Sequence, residues 1–333
     1  MRKSYEIDMC SGPLLSRILL FAIPLICSGV LQLVFNATDI IVVGRFVSSN
    51  AMAAVGSTSS LINLLVNFFI GISVGANVLV ARFRGANDFD DAQETVQTAL
   101  ITAVAGGFVL IALGILLARP MLVWMATPDE VIGQAVLYMR VYFIGMPATM
   151  LYNFGAAILR AVGDTRRPLY FLTLAGLVNV AGDLLFVLVL DMGVAGVAVA
   201  TVISQIISAT LIVLCLMRQD GMCNVNLRRM KFHRDKFLRI MQVGLPAGLQ
   251  SVIFNISNVL IQSSINSFGA TVVAGNTAAS NIEGFVYTSM NALYQTSLSF
   301  TSQNLGARQF GRIDKIPVSY THLRAHETSA QLV

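Results

Sequence analysis

Long apolar runs separated by short polar, mostly basic segments dominate the chain. The clearest is the 27 residues between Arg17 and Arg45, ILLFAIPLICSGVLQLVFNATDIIVVG, whose only charge is Asp39. A helix needs ~20 apolar residues to cross a bilayer, and this run exceeds that. The pattern predicts eight membrane-spanning helices at roughly 15–44, 52–80, 95–118, 131–159, 168–190, 193–217, 238–265 and 272–302. The fold class expected is therefore an all-α polytopic membrane protein. A β-barrel is excluded, because it is built from short alternating segments rather than long apolar runs.

Composition agrees: 56% of the 333 residues are hydrophobic and 12% charged, about half the charge of an ordinary soluble domain. Of 22 Lys and Arg residues, 18 fall on one side if the N-terminus is cytoplasmic. They include Arg82 and Arg84, Arg160, Arg166 and Arg167, seven residues within 218–239, and Arg308, Arg312 and Lys315. Only Arg45 and Arg119 fall opposite, so the positive-inside rule orients the chain as a multi-pass protein of the cell membrane with a cytoplasmic N-terminus. The net charge of +5 then reflects topology, and no nucleic-acid partner is needed to explain it. The first run is too long for a signal peptide. Cys10, Cys27, Cys215 and Cys223 lack metal-ligand or redox spacing and read as small hydrophobes. No phosphate loop, nucleophile triad or metal motif accompanies the spans, so no enzyme activity and no cofactor are expected.

An internal repeat organises the runs. An offset of 222 residues places Pro24 on Pro246, Asn36 on Asn258 and Phe46 on Phe268; after a one-residue slip Gly85-Ala86 meets Gly306-Ala307. Six spans separate the copies, so both have the same orientation, a parallel repeat of the kind transporters use. The expected organisation is a six-helix N-terminal lobe (1–216), a basic cytoplasmic linker (217–237) and the first two helices of a second lobe (238–316). Residues 317–333, with His322 and His326, read as a foreign adaptor-derived tail, and the chain as truncated after its eighth helix.

The candidate chemistry lies inside the spans. Asp39 is costly there, by ~3 kcal/mol on insertion scales, with Asn36 one turn earlier and Pro24 expected to kink the helix. The fifth span likewise holds one charge, Asp183, with Asn179 four residues before it on the same face. Thr201 follows a run of small residues in the sixth span. Two carboxylates, two amides and a hydroxyl suit Na⁺, which takes hard oxygen ligands; the carboxylates equally suit a proton, and the residues leave both open. Such aspartates also serve as interhelical glue, and Asn179 and Thr201 link helices in many membrane proteins. Glu283 either faces a central cavity, attracting cationic substrate, or pairs with another helix. Arg140 is expected to snorkel outward, Trp124 to sit in an interfacial belt, and Asp164, Arg166 and Arg167 to form a solvated turn.

The order Pro24, Gln32, Asn36, Asp39, Gly44, then ARFRGAND at 81–88, LRAVGDTRRP at 159–168 and GLVNVAGD at 176–183, resembles the multidrug and toxic compound extrusion family over about 1–316. The resemblance implies twelve helices in two lobes and export of cationic or amphipathic small molecules, by a monomer in the lipid bilayer, in exchange for Na⁺ or H⁺. It also implies that Asp39, Asn179, Asp183 and Thr201 form a cation site in the first lobe. Two other readings accompany it: a flippase for a lipid-linked saccharide or related amphiphile, and a non-transporting membrane scaffold.

Overall fold

The computed structural model describes residues 5–125, 127–219, 221–226, 230–266 and 270–317. Of the expected foreign tail only Pro317 falls within them, and His322 and His326 lie outside. Among the described residues all regular structure is helical: α1 (Leu14–Phe46), α2 (Ser49–Ala86), α3 (Phe89–Trp124), α4 (Asp129–Ile144), α5 (Met146–Ala161), α6 (Arg166–Leu184), α7 (Gly193–Arg218), α8 (Arg234–Asn266), α9 (Ala270–Gly306) and the single turn α10 (Phe310–Ile313). A π-helical turn, Leu185–Val189, continues α6. The helices are longer than the apolar runs because polar turns at their ends remain helical. Ser48 caps α2 through the amide of Ala51 at 3.0 Å, and Asp88 caps α3 through that of Asp91 at 3.2 Å.

Two expectations need correction. The fourth span is not one helix: α4 and α5 meet at Gly145 with a bend of 51°. Pro147 then sits in the first turn of α5, where its missing N–H leaves no helical bond unmade. A side chain at Gly145 would collide with Gln205. Asp164, expected in a solvated turn, is fully buried. Its Oδ1 accepts from the amides of Arg166 and Arg167 at 3.1 Å each, and its Oδ2 lies 3.2 Å from the Arg167 guanidinium. Burial raises its pKa, partly offset by those amides and by Arg167. It stays buried because the start of α6 satisfies it.

Six of these helices are individually long and apolar enough to cross a membrane, and the bent pair adds a seventh. α9, at the eighth expected span, carries Asn, Ser and Thr along its length. Arg140 and Trp124 are both exposed. The basic linker is anchored to the start of α3. Lys236, 4% exposed, pairs with Asp91 at 2.7 Å and Glu94 at 3.5 Å, and the His233 amide donates to Thr98 at 3.2 Å.

The repeat is visible in three dimensions. α1 and α8 each have 33 residues and one internal proline, Pro24 or Pro246. α2 and α9 have 38 and 37, and just beyond them Asn87 and Arg308 share φ of 56°. The two copies meet through glycine. Cβ atoms at Gly71 and Gly75 of α2 would collide with Gly248 and Ile240–Gly244 of α8, and the reverse holds for Gly244 and Gly248. This is a small-xxx-small crossing on both faces, which lets backbones touch where no hydrophobic effect drives helix association. Farther along α2 the contact becomes reciprocal. A Cβ at Gly85 would strike Gln303 and Ala307, and one at Gly306 would strike Arg82 and Ala86, the equivalent positions in the repeat.

Gly71→Val therefore has to separate α2 from α8 and should destabilise the protein by about 1–3 kcal/mol. Gly133→Ala on α4, with nothing within 4 Å of the new methyl, should not. Thermal unfolding of the purified protein checks both, and equal melting temperatures would contradict the backbone-contact account.

Candidate cation site

α1 and α6 pack side by side, and the contact carries the two intramembrane aspartates inward. Asp39 is 7% exposed and Asp183 fully buried. Their carboxyl groups lie close enough to interact electrostatically. Yet Asp39 Oδ1 and both oxygens of Asp183 receive no donor from the protein. Two ionised carboxylates cannot sit in this contact at low cost, since each lacks water and repels the other. A shared proton or a cation between them resolves both problems.

The remaining expected site residues are placed differently from one another. Asn179, buried one turn before Asp183, donates from Nδ2 to Thr201 Oγ1 at 3.4 Å, and Thr201 donates to the Val197 carbonyl at 2.9 Å. This pair joins α6 to α7, as the Asp39–Asp183 pair joins α1 to α6. Asn36 is exposed, one turn from Asp39 but outside the buried group. Glu283 is exposed on α9. α1 runs unbroken through Pro24, and the Ser28 hydroxyl donates to the Pro24 carbonyl at 2.8 Å, a back-bond of the kind that accompanies helix bending.

Neighbours that sequence reasoning missed complete the surroundings. Tyr138 and Tyr142 on α4 stack at 5.9 Å. Both lie within electrostatic range of Asp39, and Tyr138 also of Asp183. Gln205 of α7 lies beside Tyr142, with Oε1 buried and lacking a donor. Their signal was present as two tyrosines four residues apart, and as one amide in the uncharged stretch VISQIIS. Two residues beyond Asp183, α6 changes to its π-helical turn; such turns occur frequently at functional positions within α-helices. Among the described residues no group of three or more His, Cys, Asp or Glu side chains is arranged to hold a metal. The donor set is two carboxylates with hydroxyl and amide oxygens, which fits a hard monovalent cation or a proton.

Comparison with known proteins bears on the fold and family of the chain. The MatE family model matches residues 24–185 and 246–322. The probable multidrug resistance protein YoeA of Bacillus subtilis (strain 168) is 30% identical over 306 residues, covering 89% of this chain and 66% of that protein. YpnP of the same organism, also a probable multidrug resistance protein, is 29% identical over 301 residues, 90% of this chain and 67% of its own length. The chain thus spans about two thirds of the length of these relatives. A solved structure of a multidrug resistance MATE family transporter in its outward-facing conformation superposes with a TM-score of 0.90 over 99% of this chain and 73% of that one, at 23% identity.

Asp183→Asn leaves a donor for the Asp39 carboxylate, so stability should change by less than about 1 kcal/mol. Asp183→Leu leaves Asp39 buried without a partner and should cost about 1–3 kcal/mol. Thermal unfolding in detergent distinguishes them; equal loss in both variants would mean that the carboxyl contact has no structural weight.

Proposed function

The chain belongs to the multidrug and toxic compound extrusion (MATE) family, and on that premise we propose that it serves secondary antiport, exporting cationic or amphipathic small molecules in exchange for Na⁺ or H⁺. The observation that carries the reading is the Asp39–Asp183 contact, whose buried oxygens have no donor from the protein. The multidrug resistance described for the relatives supplies the substrate class.

Each residue has a part in the scheme. Asp39 and Asp183 bind the coupling ion. Asn179 and Thr201 tie α6 to α7 beside it and present oxygens toward it, and Asn36 joins when α1 moves. With the site empty, the paired carboxylates repel and α1 separates from α6. With the ion bound, they close. Pro24 lets α1 change its bend at small cost, since a proline turn has no backbone hydrogen bond to break there. Ion and substrate then favour different conformations, which is the condition for exchange. Glu283, exposed on α9, attracts cationic substrate. The protein acts as a monomer in the cell membrane with its N-terminus cytoplasmic. A flippase of lipid-linked saccharides ranks below this reading, because Arg140 is the chief basic residue that the spans offer for phosphates.

In proteoliposomes with an imposed Na⁺ or proton gradient, export of a hydrophobic cationic dye should fall at least tenfold in Asp39→Asn and in Asp183→Asn, with protein level and folding retained. Undiminished gradient-driven export in both variants would refute the coupling scheme. Transport of lipid-linked saccharide with no dye transport would favour the flippase.

A further inference from the structure

Residues 5–13 precede α1 without regular secondary structure, with bends over residues 9–12, and have no part in the scheme above. They cross the end of the bundle on which the N-terminus lies, and both repeats hold them. On the first-repeat side, Glu6 pairs with Arg84 at 3.1 Å and accepts from Gln219 Nε2 at 2.8 Å. The Ile7 amide donates to the Gly163 carbonyl at 3.1 Å. Gly163 has φ of +100° and lies so close to Ile7 that a Cβ would collide with it; only glycine combines that backbone conformation with that approach. On the second-repeat side, Asn304 donates to the Met9 carbonyl at 3.1 Å. Arg312 donates to the carbonyls of Gly12 at 3.0 Å and of Met9 and Ser11 at 3.3 Å each. Met9 is fully buried among Ile18, Phe21, Phe300 and Ile316.

The strap lies over the reciprocal Gly85–Gly306 crossing of α2 and α9. Arg84, which Glu6 grips, is the neighbour of Gly85. Beneath it Ser299 of α9 donates to Asn77 Oδ1 of α2 at 3.0 Å, and Gln303 of α9 donates to the carbonyl of Ala161, at the end of α5, at 3.1 Å. Cys10 Sγ stands 3.8 Å from Gln303 Oε1. We propose that residues 5–13 are a latch that holds this end of the α2–α9 crossing shut, so that entry from this face requires the strap to leave. The chemistry suits a reversible closure. Glu6 and Arg84 are about one third exposed, and water can replace such a pair at small cost. Met9 supplies the grip, because it has to leave an apolar socket. The antiport reading explains why this end should open, but the latch is tested without transport.

The test measures how fast a membrane-impermeant maleimide, added from the N-terminal side, labels Ser299→Cys. Ser299 is 1% exposed beneath the strap. In a background with Cys10, Cys27 and Cys215 replaced by Ala, Met9→Gly with Glu6→Ala should raise labelling of Ser299→Cys at least tenfold. Cys223, 2% exposed in the linker, serves as the internal control and should stay unreactive. In a second protein that keeps Cys10 and carries Gln303→Cys, diamide oxidation to the disulfide should slow labelling of Ser299→Cys at least threefold relative to the reduced form. Unchanged labelling in both proteins would overturn the latch. So would joint exposure of Cys223, which would make the strap a folding element. Loss of transport with normal labelling behaviour would count against the antiport reading instead.

Discussion

Two carboxylates without water or a protein donor cannot share one contact unless something positive comes between them. That constraint sits where α1 meets α6, and much of the first repeat is arranged about it. The Asn179–Thr201 link carries the same helix to α7, two tyrosines stack on a third side, and the π-helical turn begins two residues after the second aspartate. A purely structural pair would be satisfied by the fold itself. Here three buried oxygens have no donor from the protein, which is the feature that the proposed cation site is meant to explain.

The bundle around this contact is held by close backbone approach more than by large side chains. Glycines at 71, 75, 244 and 248 let α2 and α8 touch, and those at 85 and 306 bring α2 and α9 together at equivalent positions of the repeat. Because the two copies of the motif meet each other, their interface is nearly self-complementary. Such a contact has few ways to slide but can open as a unit, so a rigid crossing near one membrane face is compatible with the ion-dependent contact proposed within the first repeat.

Much of this was legible in the sequence because the bilayer is a demanding solvent. Apolar runs located the helices with ends off by up to six residues and the fourth span read as one helix rather than two, and the repeat emerged from proline, asparagine and glycine spacing. Asp39 and Asp183 stood out because a lone charge in such a run is costly. What remained hidden depends on tertiary satisfaction. Asp164 looked solvated because arginines flank it, whereas the amides at the start of α6 allow its burial. The break at Gly145 was masked because glycine and proline are tolerated inside membrane helices. Tyr138, Tyr142 and Gln205 carried no charge to draw attention, and residues 5–13 have no periodicity at all. Asn36 shows the opposite limit: helical spacing puts it one turn from Asp39, yet it is exposed and outside the buried group.

The central claim is that the Asp39–Asp183 pair shares one exchangeable positive charge. Infrared difference spectroscopy of the protein in lipid reads this directly, through the carbonyl band of a protonated carboxylic acid. The account predicts a buried carboxyl band that disappears when pH is raised or Na⁺ is added, and that is absent when both aspartates are replaced by Asn. A band that persists in that double variant, or no carboxyl change on titration with either ion, would contradict it.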